Sequence, residues 1–208
     1  MFIKLCGFTR PEDIEKVMDH PVSSVGFIFY KKSKRYVSPE QAKSMSLMLE
    51  RSPIRKAGVF VDSSPETIME TVMSARLDMV QVYDSGTARA LAGRIPVIEC
   101  VRIGNPEGLF LPEPLPGGVV LFDTYSRELY GGTGKTFDSS IIKNYPFRDR
   151  MIIAGGLNES NISEIIRDIR PGGVDISSGI EVSEGIKSGE KISRIMKLIM
   201  EAENDNIS

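Results

Sequence analysis

The chain predicts an α/β fold, a compact single-domain (β/α)8 TIM barrel over residues 1–208, on three observations. Eight short apolar runs alternate with amphipathic stretches almost from end to end. Most of those runs are apolar throughout, as parallel strands buried on both faces must be. The length of 208 residues lies near the lower limit of ~200 for eight strand–helix units.

The predicted strands are Phe2–Cys6, Ser24–Phe29, Lys56–Val61, Met79–Tyr83, Pro96–Val101, Val119–Asp123, Met151–Ala154 and Gly173–Ser177. Thr9-Arg10-Pro11-Glu12 and Ser38-Pro39-Glu40-Gln41 read as capping boxes with proline in the first turn, and Ser64-Pro65 repeats the cap-then-proline signal. Helical spacing follows each: Ile14, Val17 and Met18; Ala42, Met45 and Leu49; Ile68 and Val72. The last helix has its stripe at Ile192, Ile195, Met196, Ile199 and Met200. Between strands five and six, Gly104 to Gly118 carries Pro106, Pro112, Pro114 and Pro116, which predicts a loop in place of a helix. The polar tail Glu201 to Ser208 is expected to fray. No linker tract divides the chain, and no internal repeat is detectable.

Composition narrows the class. The apolar and charged fractions, 41% and 26%, are those of an ordinary globular protein. A net charge of −2 gives no electrostatic reason to expect nucleic acid or an anionic membrane as partner. No apolar stretch approaches the ~18–20 residues of a membrane span, and Met1-Phe2-Ile3-Lys4 lacks a signal-peptide layout. Cys6 and Cys100 both fall in strands, which argues for free thiols in a reducing cytoplasm. The single histidine, His20, precedes Pro21 at the end of the first helical pattern. A Ser-His-Asp triad, or nearly any zinc site, would have to use it, so neither is expected. No metal or cofactor is called for; chemistry would rest on carboxyl, thiol, amine and backbone groups.

Lys4-Leu5-Cys6-Gly7 and Leu121-Phe122-Asp123 each end an apolar strand on one reactive side chain. Strands that deliver such groups at their C-terminal ends build the catalytic mouth of a barrel. A thiol base at Cys6 and a carboxylic acid at Asp123 suggest proton transfer. Lys4 lies two positions before Cys6 on the same strand face, ~6–7 Å away, and a cation there should lower the thiol's pKa from ~8.5. Taken alone, Cys6 reads as a small buried hydrophobe and Asp123 as a helix cap or loop anchor. Lys4 pointing into a barrel needs a partner. Asp175 on the neighbouring eighth strand can supply it, or can serve a ligand instead. Gly131-Gly132-Thr133-Gly134-Lys135 can cover a ligand or simply turn the chain.

Gly155 and Gly156 follow strand seven, and Ser177, Ser178 and Gly179 follow strand eight. Loops in these two places bind phosphate through backbone N–H groups in many such barrels. Glycines let the backbone approach the anion, and serine hydroxyls add donors. Arg35, in Ser33-Lys34-Arg35-Tyr36 after strand two, suits bidentate grip on a second anionic group such as a carboxylate.

These residues, in order along nearly the whole chain, resemble the phosphoribosylanthranilate isomerase family of tryptophan biosynthesis. The resemblance is carried by Lys4-Leu5-Cys6-Gly7, Gly26-Phe27-Ile28-Phe29, Ser33-Lys34-Arg35, Gly58-Val59-Phe60-Val61, Val80-Gln81, Leu121-Phe122-Asp123, Gly131-Gly132-Thr133-Gly134, Ala154-Gly155-Gly156-Leu157 and Asp175-Ile176-Ser177-Ser178-Gly179-Ile180-Glu181. It implies a (β/α)8 barrel performing an Amadori rearrangement of N-(5'-phosphoribosyl)anthranilate without a cofactor. Asp123 would protonate the furanose ring oxygen, and Cys6 would remove the C2′ proton. Arg35 would hold the anthranilate carboxylate, the last two loops the 5′-phosphate, and Gln81 and Asp175 would face the substrate. A monomer or homodimer would be expected.

The chain departs from the family in two places. Gln81-Val82-Tyr83-Asp84 stands where Gln-Leu-His-Gly is usual, so Tyr83 would replace a histidine donor and Asp84 would add negative charge. The family's tryptophan after the glycine-rich loop is replaced by Phe137-Asp138-Ser139. The related histidine-pathway isomerase, or a dual-substrate version, would use an aspartate in the first strand and show twofold repetition. Cys6 and the missing repeat argue against both. Leu121 and Phe122 occupy the place where a Schiff-base aldolase needs a lysine. A non-catalytic sugar-phosphate binder would have no need for both Cys6 and Asp123.

Overall fold

The computed structural model describes residues 1–103, 111–123 and 140–205, the side chains of 140 and 141 excepted. The parallel strands are β1 (Phe2–Cys6), β2 (Ser24–Ile28), β3 (Arg55–Phe60), β4 (Met79–Val82), β5 (Val97–Arg102), β6 (Val119–Asp123), β7 (Met151–Ala154) and β8 (Gly173–Ile176). They close into one barrel in sequence order, β8 pairing back onto β1. Each lies within one residue of its expected bounds. The helices are α1 (Pro11–Glu15), α2 (Pro39–Met48), α3 (Pro65–Ala75), α4 (Ser85–Leu91), α5 (Ser140–Lys143), α6 (Ile162–Ile169) and α7 (Gly189–Asp205).

The amphipathic pattern sorts the core into two layers. Outward strand residues such as Leu5, Val25, Phe27, Val80, Phe122 and Val174 pack against the helices. A smaller inner cluster of Ala57, Met79, Ile98, Cys100, Leu121 and Ile152 fills the barrel. Ser38 forms the expected capping box with Gln41, and Ser64 caps α3 through the Thr67 amide. Thr9 does not cap α1, because its hydroxyl donates to the Gly185 carbonyl instead at 2.7 Å. That helix is also shorter than its stripe suggested: tighter turns follow Glu15, and Met18 lies exposed. The helical stripe of α7 holds at Ile192, Ile195, Met196 and Ile199, but Met200 lies off the buried face.

Residues 111–118 contain no helix, as the prolines require, and the Tyr145 hydroxyl pins this segment by donating to the Pro112 carbonyl at 2.6 Å. The expected fraying from Glu201 is not found as far as Asp205. Ala202 is buried, the N-terminal amine pairs with Glu203 at 2.8 Å, and Arg167 pairs with Asp205 at 2.7 Å, so α7 continues. An antiparallel hairpin, β9 (Glu181–Ser183) and β10 (Ile186–Lys187), follows β8 and was not foreseen. Its turn glycine, Gly185, adopts φ +81°, a conformation costly for other residues. No helix among the described residues is long and apolar enough to cross a membrane.

Candidate active site

Alternate residues of a strand face opposite sides of the sheet, so the last inward residue of each barrel strand stands at the C-terminal mouth. Cys6, Val59, Gln81, Asp123, Ala154 and Asp175 do so, around a cavity of about 470 Å³. That volume lies within the range of small-ligand sites. The surrounding loops add Arg35, Tyr83, Gly155, Gly156, Ser177, Ser178 and Glu184. Every predicted site residue except Gly179 lines this cavity. Gly179 serves packing: a Cβ there would lie 2.0 Å from the Leu157 carbonyl oxygen, so only glycine lets the loops after β7 and β8 touch.

Cys6 is held in a niche made by two glycines. It pairs in register with Gly26 of β2, where a Cβ would stand 2.6 Å from the sulfur. Gly7, at φ +82°, passes close beneath Arg35 and Ser177. The expectation of a lowered thiol pKa is corrected: burial pushes the Cys6 thiol up, and Lys4 and Lys187 offset that only in part. Lys4 does favour the thiolate, as read, but desolvation outweighs the cation.

Lys4 and Asp175 are direct partners across the β1–β8 seam and form an ion pair at 2.7 Å, with Lys4 wholly buried. Burial would lower the Lys4 ammonium, but its attraction to Asp175 and Cys6 prevails and holds it well above the ordinary lysine value. Of the two alternatives for Asp175, the pair with Lys4 is present. Oδ2 takes Lys4, while Oδ1 has no partner among the described residues, although Asp175 lines the cavity. Gln81 repeats the pattern: its Oε1 is buried and unpartnered among them. These two unmet acceptors stand on β8 and β4, opposite strands of the barrel, and each can accept a hydrogen bond from a ligand's donor, such as a sugar hydroxyl.

Tyr83, just after β4, lines the cavity within electrostatic reach of Cys100 and Asp123. Burial raises its phenol well above the ordinary value, with Cys100 and Asp123 adding to the effect, so it stays a neutral donor. The Arg102 guanidinium lies over its ring at 4.6 Å. The charge expected from Asp84 is directed elsewhere. Its carboxylate caps α4 by accepting the Thr87 amide at 2.7 Å, which lowers its pKa, and it does not line the cavity.

Arg35 reaches the cavity with one edge occupied. Nε and Nη2 donate to the two oxygens of Glu181 at 2.8 and 2.6 Å, leaving Nη1 for a ligand. Burial would raise the Glu181 carboxyl, but Arg35 and Lys187 hold it below the ordinary range. Glu184 on the same hairpin lines the cavity and pairs with Lys34 at 2.6 Å. Sequence reasoning missed Lys187 and the hairpin that carries it. The available signal was the turn glycine Gly185 within Glu181-Val182-Ser183-Glu184-Gly185-Ile186-Lys187.

The anion loops are shaped by backbone. Gly155 and Gly156 adopt φ +96° and +69°. The Gly156 carbonyl is held by the side-chain amides of Asn158 at 2.8 Å and Asn161 at 3.1 Å, which fixes the orientation of its peptide. The amides of Gly156, Ser178 and Gly179 donate to no group among the described residues. The segment Gly131–Lys135 and the replacement Phe137–Ser139 lie outside the described residues.

A closed parallel barrel whose strand ends converge on one polar cavity defines a (β/α)8 enzyme working at its C-terminal mouth. Comparison with known proteins supplies the rest. The family model "N-(5'phosphoribosyl)anthranilate (PRA) isomerase" matches residues 3–198. The N-(5'-phosphoribosyl)anthranilate isomerase of Thermotoga maritima is 38% identical over 201 residues, covering 94% of this chain and 96% of its own. The crystal structure of phosphoribosyl anthranilate isomerase from that organism aligns with TM-score 0.82 at 35% identity, covering 97% and 99%. A structure of the isomerase in complex with reduced 1-(o-carboxyphenylamino)-1-deoxyribulose 5-phosphate aligns with TM-score 0.79 at 32% identity, covering 97% and 99%. The chain belongs to the N-(5'-phosphoribosyl)anthranilate isomerase family.

Proposed function

We propose that this chain converts N-(5'-phosphoribosyl)anthranilate to 1-(2-carboxyphenylamino)-1-deoxyribulose 5-phosphate, an Amadori rearrangement in tryptophan biosynthesis. The observation that carries it is the convergence of Cys6, Asp123, Arg35 and the two anion loops on one cavity, in a chain matched by the isomerase family over residues 3–198. The substrate has one carboxylate and one phosphate, and the wall offers one guanidinium edge and one backbone nest.

In the proposed mechanism Asp123 acts as general acid. Its proton passes to the furanose ring oxygen, the C1′–O bond breaks, and the anthranilate nitrogen's lone pair forms the Schiff base. Cys6, as thiolate, removes the C2′ proton, and the electron pair moves to give the enolamine. Proton return at C1′ and loss of the enol proton yield the ketone, so hydrogen and electrons balance without a redox partner. Asp175 Oδ1 and Gln81 Oε1 would accept ribose hydroxyls. Gly155, Gly156, Ser177 and Ser178 would hold the 5′-phosphate, with Gly179 contributing its backbone amide. Arg35 Nη1 would meet the anthranilate carboxylate. Tyr83 would donate a hydrogen bond on the side of Asp123.

The Thermotoga maritima relative is described as dimeric; for this chain a monomer or homodimer, working in the cytoplasm with the small-molecule substrate alone, completes the reading. The test is turnover. Purified protein given freshly made phosphoribosylanthranilate should abolish the substrate's anthranilate-type fluorescence and yield the ketone product on chromatography. Fluorescence that persists at the uncatalysed rate would end the proposal.

A further inference from the structure

Beside the C-terminal ends of β1 and β8 lies a buried ammonium that the mechanism above does not use. Lys187, at the end of β10, is 1% exposed. An ammonium has three N–H donors and no acceptor, and it is expensive to bury unless it is paired. Each donor of Lys187 has a partner: the Cys6 carbonyl, Glu181 Oε1 at 2.8 Å and the Ser177 carbonyl at 3.3 Å. The ammonium also lies 5.4 Å over the ring of Phe8.

The three acceptors belong to three separate parts of the proposed site. One is the residue that bears the thiol, one belongs to the anion loop after β8, and one is the carboxylate that grips Arg35. Lys187 is itself fixed from the helix side. Its backbone N–H donates to Asp13 Oδ2 at 3.0 Å, and its carbonyl accepts from Lys16 Nζ at 2.7 Å. A hydrophobe would seat a hairpin strand at lower desolvation cost, so a charge here needs a reason beyond packing.

We propose that Lys187 is a positioning residue of the isomerase: one ammonium joins Cys6, Ser177 and Glu181–Arg35 and so fixes base, phosphate loop and carboxylate grip relative to one another. This rests on the isomerase reading. A displacement of about 1 Å at a reacting group can cost 10²-fold in rate, so a shared anchor among three groups is functionally consequential. Lys187 also acts on the thiol through its charge, opposing the effect of burial. The other groups bearing on Cys6 are Lys4 from its own strand, Asp175 from β8, Arg35 from the loop after β2 and Tyr83 after β4. Glu181 neutralises Lys187 and Arg35 from the hairpin, and Glu184 faces Arg35.

The experiment compares Lys187→Met, Lys187→Gln and Lys187→Arg with the wild type in kcat, KM, melting temperature and the pH profile of kcat/KM. Glutamine keeps donors for the two carbonyls, so it serves if methionine fails to fold; arginine keeps the charge. The neutral variants should lose at least about 10-fold in kcat/KM. The rising limb of their profile, which follows formation of the thiolate, should move to higher pH. In Lys187→Arg the limb should stay where it is in the wild type. A folded neutral variant within twofold of the wild type, or one with a lowered melting temperature and an unmoved limb, would overturn the proposal. A wild type that turns over no phosphoribosylanthranilate would instead remove the isomerase reading beneath it.

Discussion

Gly26→Ala isolates the position of the base from its chemistry. Gly26 does not need a positive φ, so alanine suits its backbone, and the obstruction comes from the side of Cys6. A Cβ there lies 2.6 Å from the Cys6 sulfur and 3.2 Å from its Cα and Cβ. Ordinary contact begins near 3.4 Å, so the thiol must retreat by about 0.8 Å or β1 and β2 must part. A displacement near 1 Å costs up to about 10² in rate, roughly 2.7 kcal/mol of barrier. Overpacking should take about 1–3 kcal/mol from stability. Gly58→Ala is the matched control. Its Cβ would meet Leu77 at 2.6 Å and Phe60 at 2.7 Å on the outer face of β3. Both variants should melt below the wild type, and only Gly26→Ala should lose kcat/KM by a factor approaching 10². Equal losses in the two variants, or wild-type turnover in Gly26→Ala, would refute the placement of the base.

Two further outcomes follow from the same geometry. The thiol works as a base only when ionised, and burial raises its pKa above the ordinary thiol value, about 8.5. Because kcat/KM reports the free enzyme, it should still be climbing as the pH passes that value; a plateau reached near neutrality would contradict this. Asp84→Ala should lower the melting temperature by removing the cap on α4 while leaving kcat/KM within about twofold, since its carboxylate faces Thr87 and not the cavity. A large loss of kcat/KM in a folded Asp84→Ala would mean the carboxylate acts on the substrate after all.

Strand positions were legible because parallel strands buried on both faces are mostly apolar, and one such run, broken only by Lys4, ends at Cys6 and another at Asp123. Parity along β1 and β8 was enough to join Lys4 to Asp175. The balance of forces on the thiol was not legible. A lysine two residues away is visible in sequence, whereas burial of the thiol depends on tertiary neighbours such as Gly26, which meets the sulfur from β2. The hairpin escaped for a related reason. β10 has only two residues, Ile186 and Lys187, and its stability comes from Asp13, Lys16 and Glu181, contacts dispersed across the chain. Thr9 shows the same limit locally: its capping sequence is intact, but the Gly185 carbonyl takes its hydroxyl. Helical spacing likewise suggested the partners of Val17 but not the early end of α1, which leaves Met18 exposed.

The division of labour between thiol and carboxyl is tested most directly by single-turnover rates of Cys6→Ala and Asp123→Asn on phosphoribosylanthranilate, with melting curves recorded beside them. Each variant should retain the wild-type fold and lose at least about 10² in rate, the scale of a missing general acid or base. Near-native turnover by either folded variant would contradict the assignment and move the chemistry to other groups in the barrel mouth.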